Sequence, residues 1–410
     1  MRRLPALLAA SMWLASRGAQ AQAPEPQAPI PASRPPEAVE TSVETSSSAP
    51  PESPRPAFSL GAYVEAYYQW NFNRPANQIT NYRGFDNRHN TFTLANAVLE
   101  AQADYENVIA RLALQVGSTP STYYLSEPRR AGSPGANASD LELWKYLQQA
   151  YVGYRFVDAL TVTAGLFLSP IGPEAMAIRN NWNWSRSDLF FGCPFYHTGA
   201  RATYAIRGAW AFTLAAYNGW NSVVDNNDQK SISGQLTYTT PRVSSSLLYF
   251  GGGEREHGAP EGTPWRHLFD GHVTWNALAW LAFIAHADAG FEDNRFGASR
   301  WAAGALYARV QPLKQLFLAA RGDFFREHVA SNESGRARPI FWPVPWVSSA
   351  TATLDYRPHE RISIRAEYRH DHAGGKLYFG DPLQRNPSSV TDLPNRRAQN
   401  TVTLGATAWF

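Results

Sequence analysis

Apolar and polar residues alternate at every second position over most of this chain. In "RISIRAEYRHD", Ile362, Ile364, Ala366 and Tyr368 form one face, and Arg361, Ser363, Arg365, Glu367 and Arg369 form the other. Helical spacing fails here, because the position three after Ile362 is Arg365. The period is that of a β-strand with two unlike faces. "VIARLALQVG" repeats the pattern, with Val108, Ala110, Leu112, Leu114 and Val116 outward and Arg111 and Gln115 inward. "ALTVTAGLFL" places Leu160, Val162, Ala164, Leu166 and Leu168 outward. "HTGARATYAI" sets Arg201 and Thr203 inward, and "LAFIAHADAGF" does the same for His286 and Asp288.

From Phe58 onward sixteen such segments can be marked, near 58–72, 91–104, 108–117, 144–156, 159–169, 196–207, 210–219, 230–239, 243–251, 265–275, 279–291, 299–310, 316–327, 346–357, 360–371 and 400–410. Most have ten residues or more. A soluble β-sandwich uses strands of about 5–6 residues, whereas a tilted membrane-crossing strand needs about 9–11. Seven connections are tight, at 105–107, 157–158, 207–209, 240–242, 276–278, 311–315 and 358–359. The eight that alternate with them are mostly long and rich in Gly, Pro, Asn or Asp. The expected fold is all-β: a transmembrane antiparallel up-and-down β-barrel of about 16 strands, with long extracellular loops and short periplasmic turns. Facing is strongly determined, since an arginine slipped to the lipid side costs roughly 2–4 kcal/mol at the bilayer midplane.

Composition fits this picture. Charged residues are only 17% and aromatics 13%, with 14 Trp and 19 Tyr, yet mean hydropathy is −0.37. A helical membrane protein would be far more apolar. "MRRLPALLAASMWLASRGAQAQA" carries Arg2 and Arg3, an apolar run from Leu4 to Ala15, and an Ala19-Gln20-Ala21 cleavage pattern. That run is too short to span a bilayer and reads as a secretory signal over 1–21. Its removal takes three arginines and lowers the formal net charge from +3 to zero. Residues 22–57 are rich in Pro, Ser, Ala and Glu and have no periodic apolar face, so a disordered periplasmic linker is expected before a barrel at 58–410. The single cysteine, Cys193, excludes an internal disulfide and is expected to be a loop cysteine without a role. The implied address is the outer membrane of a Gram-negative bacterium.

One stretch carries a more specific signature. "GLFLSPIGPEAM" (165–176), "NNWNWSRSDLFFGCPFYHTGARATY" (180–204) and "AAYNGWNSVVDNNDQKSISGQLTY" (215–238) resemble the OmpL-like putative beta-barrel porin family. The resemblance rests on Gly165, Phe167, Ile171, Gly172 and Glu174, then Ser185-Arg186-Ser187, Thr198-Gly199, Tyr217 to Trp220 and Asp225 to Asn227. It implies an outer-membrane porin, a water-filled channel for passive diffusion of small hydrophilic solutes or ions, and fixes no substrate. The Pro-rich segment is not part of that pattern. The alternative is a structural or adhesin barrel acting through its loops or Pro-rich tail.

Candidate chemistry centres on the connection 169–195, which sets Glu174, Arg179, Arg186 and Asp188 among Trp182, Trp184, Phe190 and Phe191. Charges of both signs on an aromatic-rich loop suit a segment folded into the lumen to narrow it; the alternative is a loop packed on the rim. The expected lumen wall also carries Arg111, Arg155, Arg201, Arg321, Arg361, Arg365 and Arg369, against Glu65, Glu100, Asp104, Asp270, Asp288, Asp323 and Glu367. Residues 58–410 contain 32 basic and 29 acidic residues, a weak anion bias at most. "RHDH" (369–372) and the pair His286/Asp288 are the only hints of metal or acid–base chemistry, and a structural or solvated role is expected for both. No Ser, His and acid group converges on a shared face. No enzyme activity, cofactor, metal or nucleic-acid partner is expected.

The final "TVTLGATAWF" should be the closing strand, paired with the first near Leu60 to Trp70. Val402, Leu404, Ala406, Ala408 and Phe410 face lipid, with Trp409 and Phe410 in the interface belt. A terminal aromatic on such a strand resembles the signal read by the barrel assembly machinery. Expected partners are outer-membrane lipid, that machinery and small hydrophilic solutes, with a homotrimer as one possible assembly.

Overall fold

The computed structural model describes residues 57–127, 141–385 and 391–410. The expected signal and Pro-rich segment lie outside the described residues except for Ala57, which already opens the first strand. Among the described residues sixteen strands close one antiparallel barrel. In order they are β1 (Ala57–Asn71), β2 (Phe92–Tyr105), β3 (Val108–Val116), β4 (Leu147–Val157), β5 (Leu160–Leu168), β6 (Tyr196–Ala205), β7 (Trp210–Tyr217), β8 (Ser231–Thr239), β9 (Val243–Gly253), β10 (Trp265–Leu278), β11 (Leu281–Asn294), β12 (Gly297–Leu313), β13 (Leu316–His328), β14 (Trp346–His359), β15 (Ile362–Ala373) and β16 (Ala398–Trp409). Each pairs with its sequence neighbours, and β1 closes on β16 from Tyr63↔Trp409 to Asn71↔Thr401. No backbone edge is left for lipid to meet, as a spanning sheet requires.

Alternation sets the walls. In β15, Ser363, Arg365, Glu367 and Arg369 are buried while Ile362, Ile364, Ala366 and Tyr368 are exposed. In β16, Thr401, Thr403, Gly405 and Thr407 are buried and Val402, Leu404 and Ala406 exposed. The outer surface is a continuous apolar band. Trp210, Trp275, Trp280, Tyr356 and Phe410 are exposed near one end and Phe92, Trp265, Phe324 and Tyr368 nearer the other, the two aromatic girdles of a membrane-embedded barrel.

At one end the strands join through 106–107, 158–159, 206–209, 240–242, 279–280, 314–315 and 360–361. At the other the connections are 72–91, 117–146, 169–195, 218–230, 254–264, 329–345 and 374–397, with the tight turn 295–296 as the exception. Ala57 and Phe410 both lie at the short-turn end. Four strands run past the turn the alternation places after them. β4, β10, β12 and β14 run on to Val157, Leu278, Leu313 and His359, each across a register shift. An irregularity of this kind inserts residues and breaks the strict period, so pattern alone ends the strand too early.

Two outward expectations fail. Leu166 and Leu168 are buried in one apolar cluster with Phe85, Tyr123, Tyr124, Phe195 and Tyr196. The long connections fold over that part of the wall and replace lipid as the apolar partner. Trp409 also differs: it is half-buried and packs with Tyr63, Val98, Ala113 and Ala177, while Phe410 alone projects outward.

The long connections are themselves tied by charge. Glu261 accepts from the Arg338 backbone N–H at 2.6 Å and from its Nη2 at 2.8 Å, and Arg338 Nη1 reaches Glu256 at 2.7 Å. Burial pushes the Glu261 carboxyl up, but the Arg338 and Arg255 guanidiniums outweigh it and hold it at about 2, against a usual 4.5. A depressed carboxyl stabilises fully above its ordinary value and loses that contribution as pH falls toward the folded value. Protease resistance of 254–264 and 329–345 should therefore be flat at neutral pH and decline between 4.5 and about 2. In Arg338→Ala the resistance should already be lower at neutral pH and the acid decline much smaller.

Candidate functional site

The connection 169–195 leaves β5, crosses the barrel interior and returns to β6. Its path can be traced by what it touches. Pro170 O accepts from Gln235 Nε2 of β8 at 3.2 Å. Ile178 N donates to Glu65 of β1 at 2.6 Å, and Arg179 pairs with Glu100 of β2 at 3.2 Å. Asn183 Nδ2 donates to Thr353 of β14 at 2.7 Å. Trp184 N and Ser185 N both donate to Glu367 of β15, at 2.6 and 2.9 Å. Asp188 N donates to Asp323 of β13 at 2.8 Å. These partners come from all around the barrel, so the segment lies within the lumen and not on the rim.

Local chemistry holds the segment in one shape. Glu174 accepts from Ser187 N at 3.0 Å and from Ser187 Oγ at 2.5 Å, which joins the two ends of the crossing. Arg186 donates to Met176 O, to Ala175 O at 3.3 Å and to Trp184 O at 3.2 Å. Its guanidinium also lies over the rings of Phe85 and Phe190. Among the residues that carry the family resemblance, Glu174, Arg186 and Ser187 are therefore the ones that fold the loop on itself.

Wall and loop are matched in shape. A Cβ on Gly405 of β16 would lie 2.3 Å from the Trp184 ring, and one on Gly192 would lie 2.5 Å from the Phe325 ring of β13. The glycines let an aromatic ring of one surface lie against the backbone of the other.

The expected lumen charges divide into two groups. Arg365 and Arg369 are 0% and 1% exposed and hold the loop. Arg365 Nη1 donates to Asn183 O at 3.1 Å. Arg369 donates to Arg186 O and pairs with Asp188 at 2.8 Å and Asp371 at 2.5 Å. Arg321 does the same from β13, reaching Glu174 at 3.2 Å and Ser185 O at 2.6 Å. Glu65 is likewise buried against the loop. The second group lies toward the short-turn end and is only half-buried: Glu100, Asp104, Arg111, Arg155 and Arg201, joined there by Arg309 and Arg357, which the expected set lacked; Arg361 is exposed in the turn 360–361. Arg111 pairs with Glu100 at 3.2 Å, Arg155 with Asp104 at 2.5 Å and Arg357 with Asp355 at 2.8 Å. Arg201 and Arg309 form no ion pair among the described residues. Arg201 lies 4.6 Å over Phe167 and Arg309 4.6 Å over Trp182.

Inward parity was the only sequence signal for these contacts. It sorts Arg321, Asp323 and Glu367 to the lumen without saying that they bind the loop. Gly405 falls on the inward face by the same parity, and nothing in the sequence marks it, Thr353 or Gln235 as a loop partner. Cys193 is fully buried, with Sγ 3.3 Å from Asp288 Oδ2 of β11. Toward the long-loop end the crossing segment joins a single apolar cluster in which Phe190, Phe191 and Phe195 meet Phe85, Phe325 and Trp342. Glu127, from the connection 117–146, adds a polar tie by accepting from Tyr196 OH at 2.6 Å and Val223 N at 2.9 Å.

The family model described as Putative beta-barrel porin-2, OmpL-like matches residues 57–410. No curated protein matches the chain by sequence. Among solved structures the fold is similar to an anion-selective porin from Comamonas acidovorans, with a TM-score of 0.56 at 10% identity over 87% of this chain and 100% of that one. It is similar to in-vitro folded OmpT of Vibrio cholerae in its trimer form, at 0.55 and 9% identity over 87% and 99% of the two chains. The outer membrane channel DcaP of Acinetobacter baumannii gives 0.51 at 13% identity over 87% and 97%. At such identities the likeness is one of fold.

Proposed function

The chain belongs to the Putative beta-barrel porin-2, OmpL-like family, and from that premise we propose that it is a water-filled channel of the Gram-negative outer membrane through which small hydrophilic solutes or ions diffuse passively. The observation that carries this reading is the 169–195 segment, held across the lumen of a closed barrel by hydrogen bonds to inward-facing side chains. Its Asn180 is exposed and its Arg179 half-buried, toward the half of the lumen where the wall charges keep contact with solvent. The segment acts as the constriction, and the short-turn half acts as the vestibule beneath it.

The short-turn end is periplasmic, which sets Ala57 on the side where a signal peptide (1–21) and a Pro-rich linker (22–56) would precede it. Phe410 serves as the assembly signal. A homotrimer is the proposed assembly. Selectivity follows from the charges that have no carboxylate partner. The other described arginines of this half of the wall are paired to carboxylates, so Arg201 and Arg309 dominate the local field, and the pore prefers anions.

Planar bilayers test both parts. Purified protein should give stepwise conductance, and a salt gradient should give a reversal potential of anion sign. Arg201→Glu combined with Arg309→Glu should move that potential toward cation selectivity with the barrel intact. Persistent electrical silence would favour the anchoring or adhesin role, and firm cation selectivity of the unaltered protein would overturn the anion assignment.

A further inference from the structure

β10 and β11 carry a mirrored pair of tripeptides on their inward faces, Asp270-Gly271-His272 and His286-Ala287-Asp288. The antiparallel register sets Asp270 opposite Asp288 and His272 opposite His286. Residues two apart on a strand share a face, so four chemistry-bearing side chains form a compact square. His286 Nε2 lies 2.6 Å from Asp270 Oδ2 and 3.1 Å from Asp288 Oδ1. His272 Nδ1 lies 3.5 Å from Asp270 Oδ1. Cys193 of the crossing loop comes down on this square, with its Sγ 3.3 Å from Asp288 Oδ2.

Two carboxylates directly opposite each other in a buried position repel unless a cation lies between them. Among the described residues no Arg or Lys forms an ion pair with either one, so the charge between them falls to His286 or to a bound ion. Asp270, His286 and Asp288 are each buried, and one donor atom from each lies within 4.8 Å of the others. Several polar atoms in the square make no hydrogen bond: Asp270 Oδ1, Asp288 Oδ1, His272 Nδ1 and His286 Nδ1. Buried polar atoms of this kind require an explanation, and an ion is one of the few available.

We propose that Asp270, His286, Asp288 and Cys193 form a site for one divalent transition metal of the zinc class, which staples the crossing loop to the β10–β11 wall. Imidazole, carboxylate and thiolate are the ligand types zinc takes in fourfold sites. Bonds of 2.0–2.3 Å at tetrahedral angles place neighbouring donors about 3.3–3.5 Å apart. The separations of 2.6 and 3.1 Å around His286 Nε2 widen to that spacing through side-chain rotation, and Cys193, whose Sγ lies 3.3 Å from Asp288 Oδ2, turns in as the fourth donor. On binding, the Cys193 thiol proton and any proton on His286 Nε2 pass to solvent, and each donor supplies a lone pair to the ion. His272 stays outside the four donors and orients Asp270. This departs from the expectation drawn from sequence, which gave His286 and Asp288 a structural or solvated role and Cys193 none. The site stands on side-chain geometry and is independent of whether the barrel conducts.

The test refolds the full-length, untagged chain into detergent with ZnCl2 or CoCl2, removes free metal, and measures metal per folded chain together with the cobalt absorption spectrum. The expected result is one ion per chain, with a near-ultraviolet thiolate-to-cobalt charge-transfer band. Loss of an outer-shell partner alone weakens metal sites by 10–100-fold. Asp288→Asn and Asp270→Asn, which remove direct ligands, should therefore weaken binding by roughly 100-fold or more. Cys193→Ser, altered only in the loop, should keep the barrel's heat-modifiable migration while the charge-transfer band disappears. No stoichiometric metal in folded wild-type protein would overturn the site, as would metal binding unchanged in the Asp variants. Bound cobalt without the charge-transfer band would overturn the assignment of Cys193 and with it the staple.

Discussion

Arg369→Ala should release the crossing loop and destabilise the barrel by about 3–5 kcal/mol, the cost of removing one member of a buried ion pair and leaving its partners uncompensated. Arg369 is 1% exposed and serves three acceptors at once: Asp188 at 2.8 Å, Asp371 at 2.5 Å and the Arg186 carbonyl. Truncation strips Asp188 of a cation that its neighbour Asp323 makes necessary. Arg83 still reaches Asp371 at 3.2 Å, so the damage falls mainly on the loop side. The expected outcomes are a lower temperature for the heat-modifiable transition, new proteolytic cleavage within 169–195, and larger, noisier single-channel conductance. Arg369→Lys should fall between, because one ammonium cannot reproduce the planar fork. Conductance and cleavage both unchanged in Arg369→Ala would contradict the role given to the loop.

Deletion of Phe410 should have the other large effect, and on a different step. In the folded barrel Phe410 contributes one seam hydrogen bond, from its N–H to Ala62 O at 2.9 Å, and an exposed ring. Losing one such bond costs roughly 1 kcal/mol, and the register from Tyr63↔Trp409 to Asn71↔Thr401 remains. Barrel refolded in vitro from the truncated chain should therefore melt close to the full-length protein. In cells the same truncation should leave export intact and strongly reduce assembled barrel in the outer membrane, as the assembly-signal role proposed for the terminal aromatic requires. Normal heat-modifiable barrel in the outer membrane would contradict this. A large loss of stability in vitro would show that the residue matters for closure instead. Trp409 is a useful control, since its side chain packs inward against Ala177 of the loop.

The fold was legible because its determinants are local. A strand with lipid on one side and a polar interior on the other must alternate, and one slipped residue exposes arginines such as Arg365 and Arg369 to hydrocarbon. That constraint writes itself into each segment of ten residues, and it marked all sixteen strands and the β1–β16 seam. It was blind where the period is interrupted, at the register shifts beyond Arg155, Asn276, Val310 and Tyr356, and where protein takes the place of lipid, at Leu166 and Leu168.

The site was legible in its ingredients and not in its assembly. Parity sent Glu367, Arg321 and Asp323 inward, and the resemblance drew attention to Glu174 and Ser185-Arg186-Ser187. Nothing along the chain joins Trp184 to Gly405, Asn183 to Thr353 or Cys193 to Asp288. Those residues are far apart in sequence, and their contacts exist only once the barrel has closed and brought every inward face around one axis. Local pattern was enough to set the wall, that is, which residues of each strand meet lipid and which meet the interior. Tertiary structure alone decided what the interior charges do. A side chain's face is a property of its own strand, whereas its partner depends on how a long loop crosses a lumen that no single segment encloses.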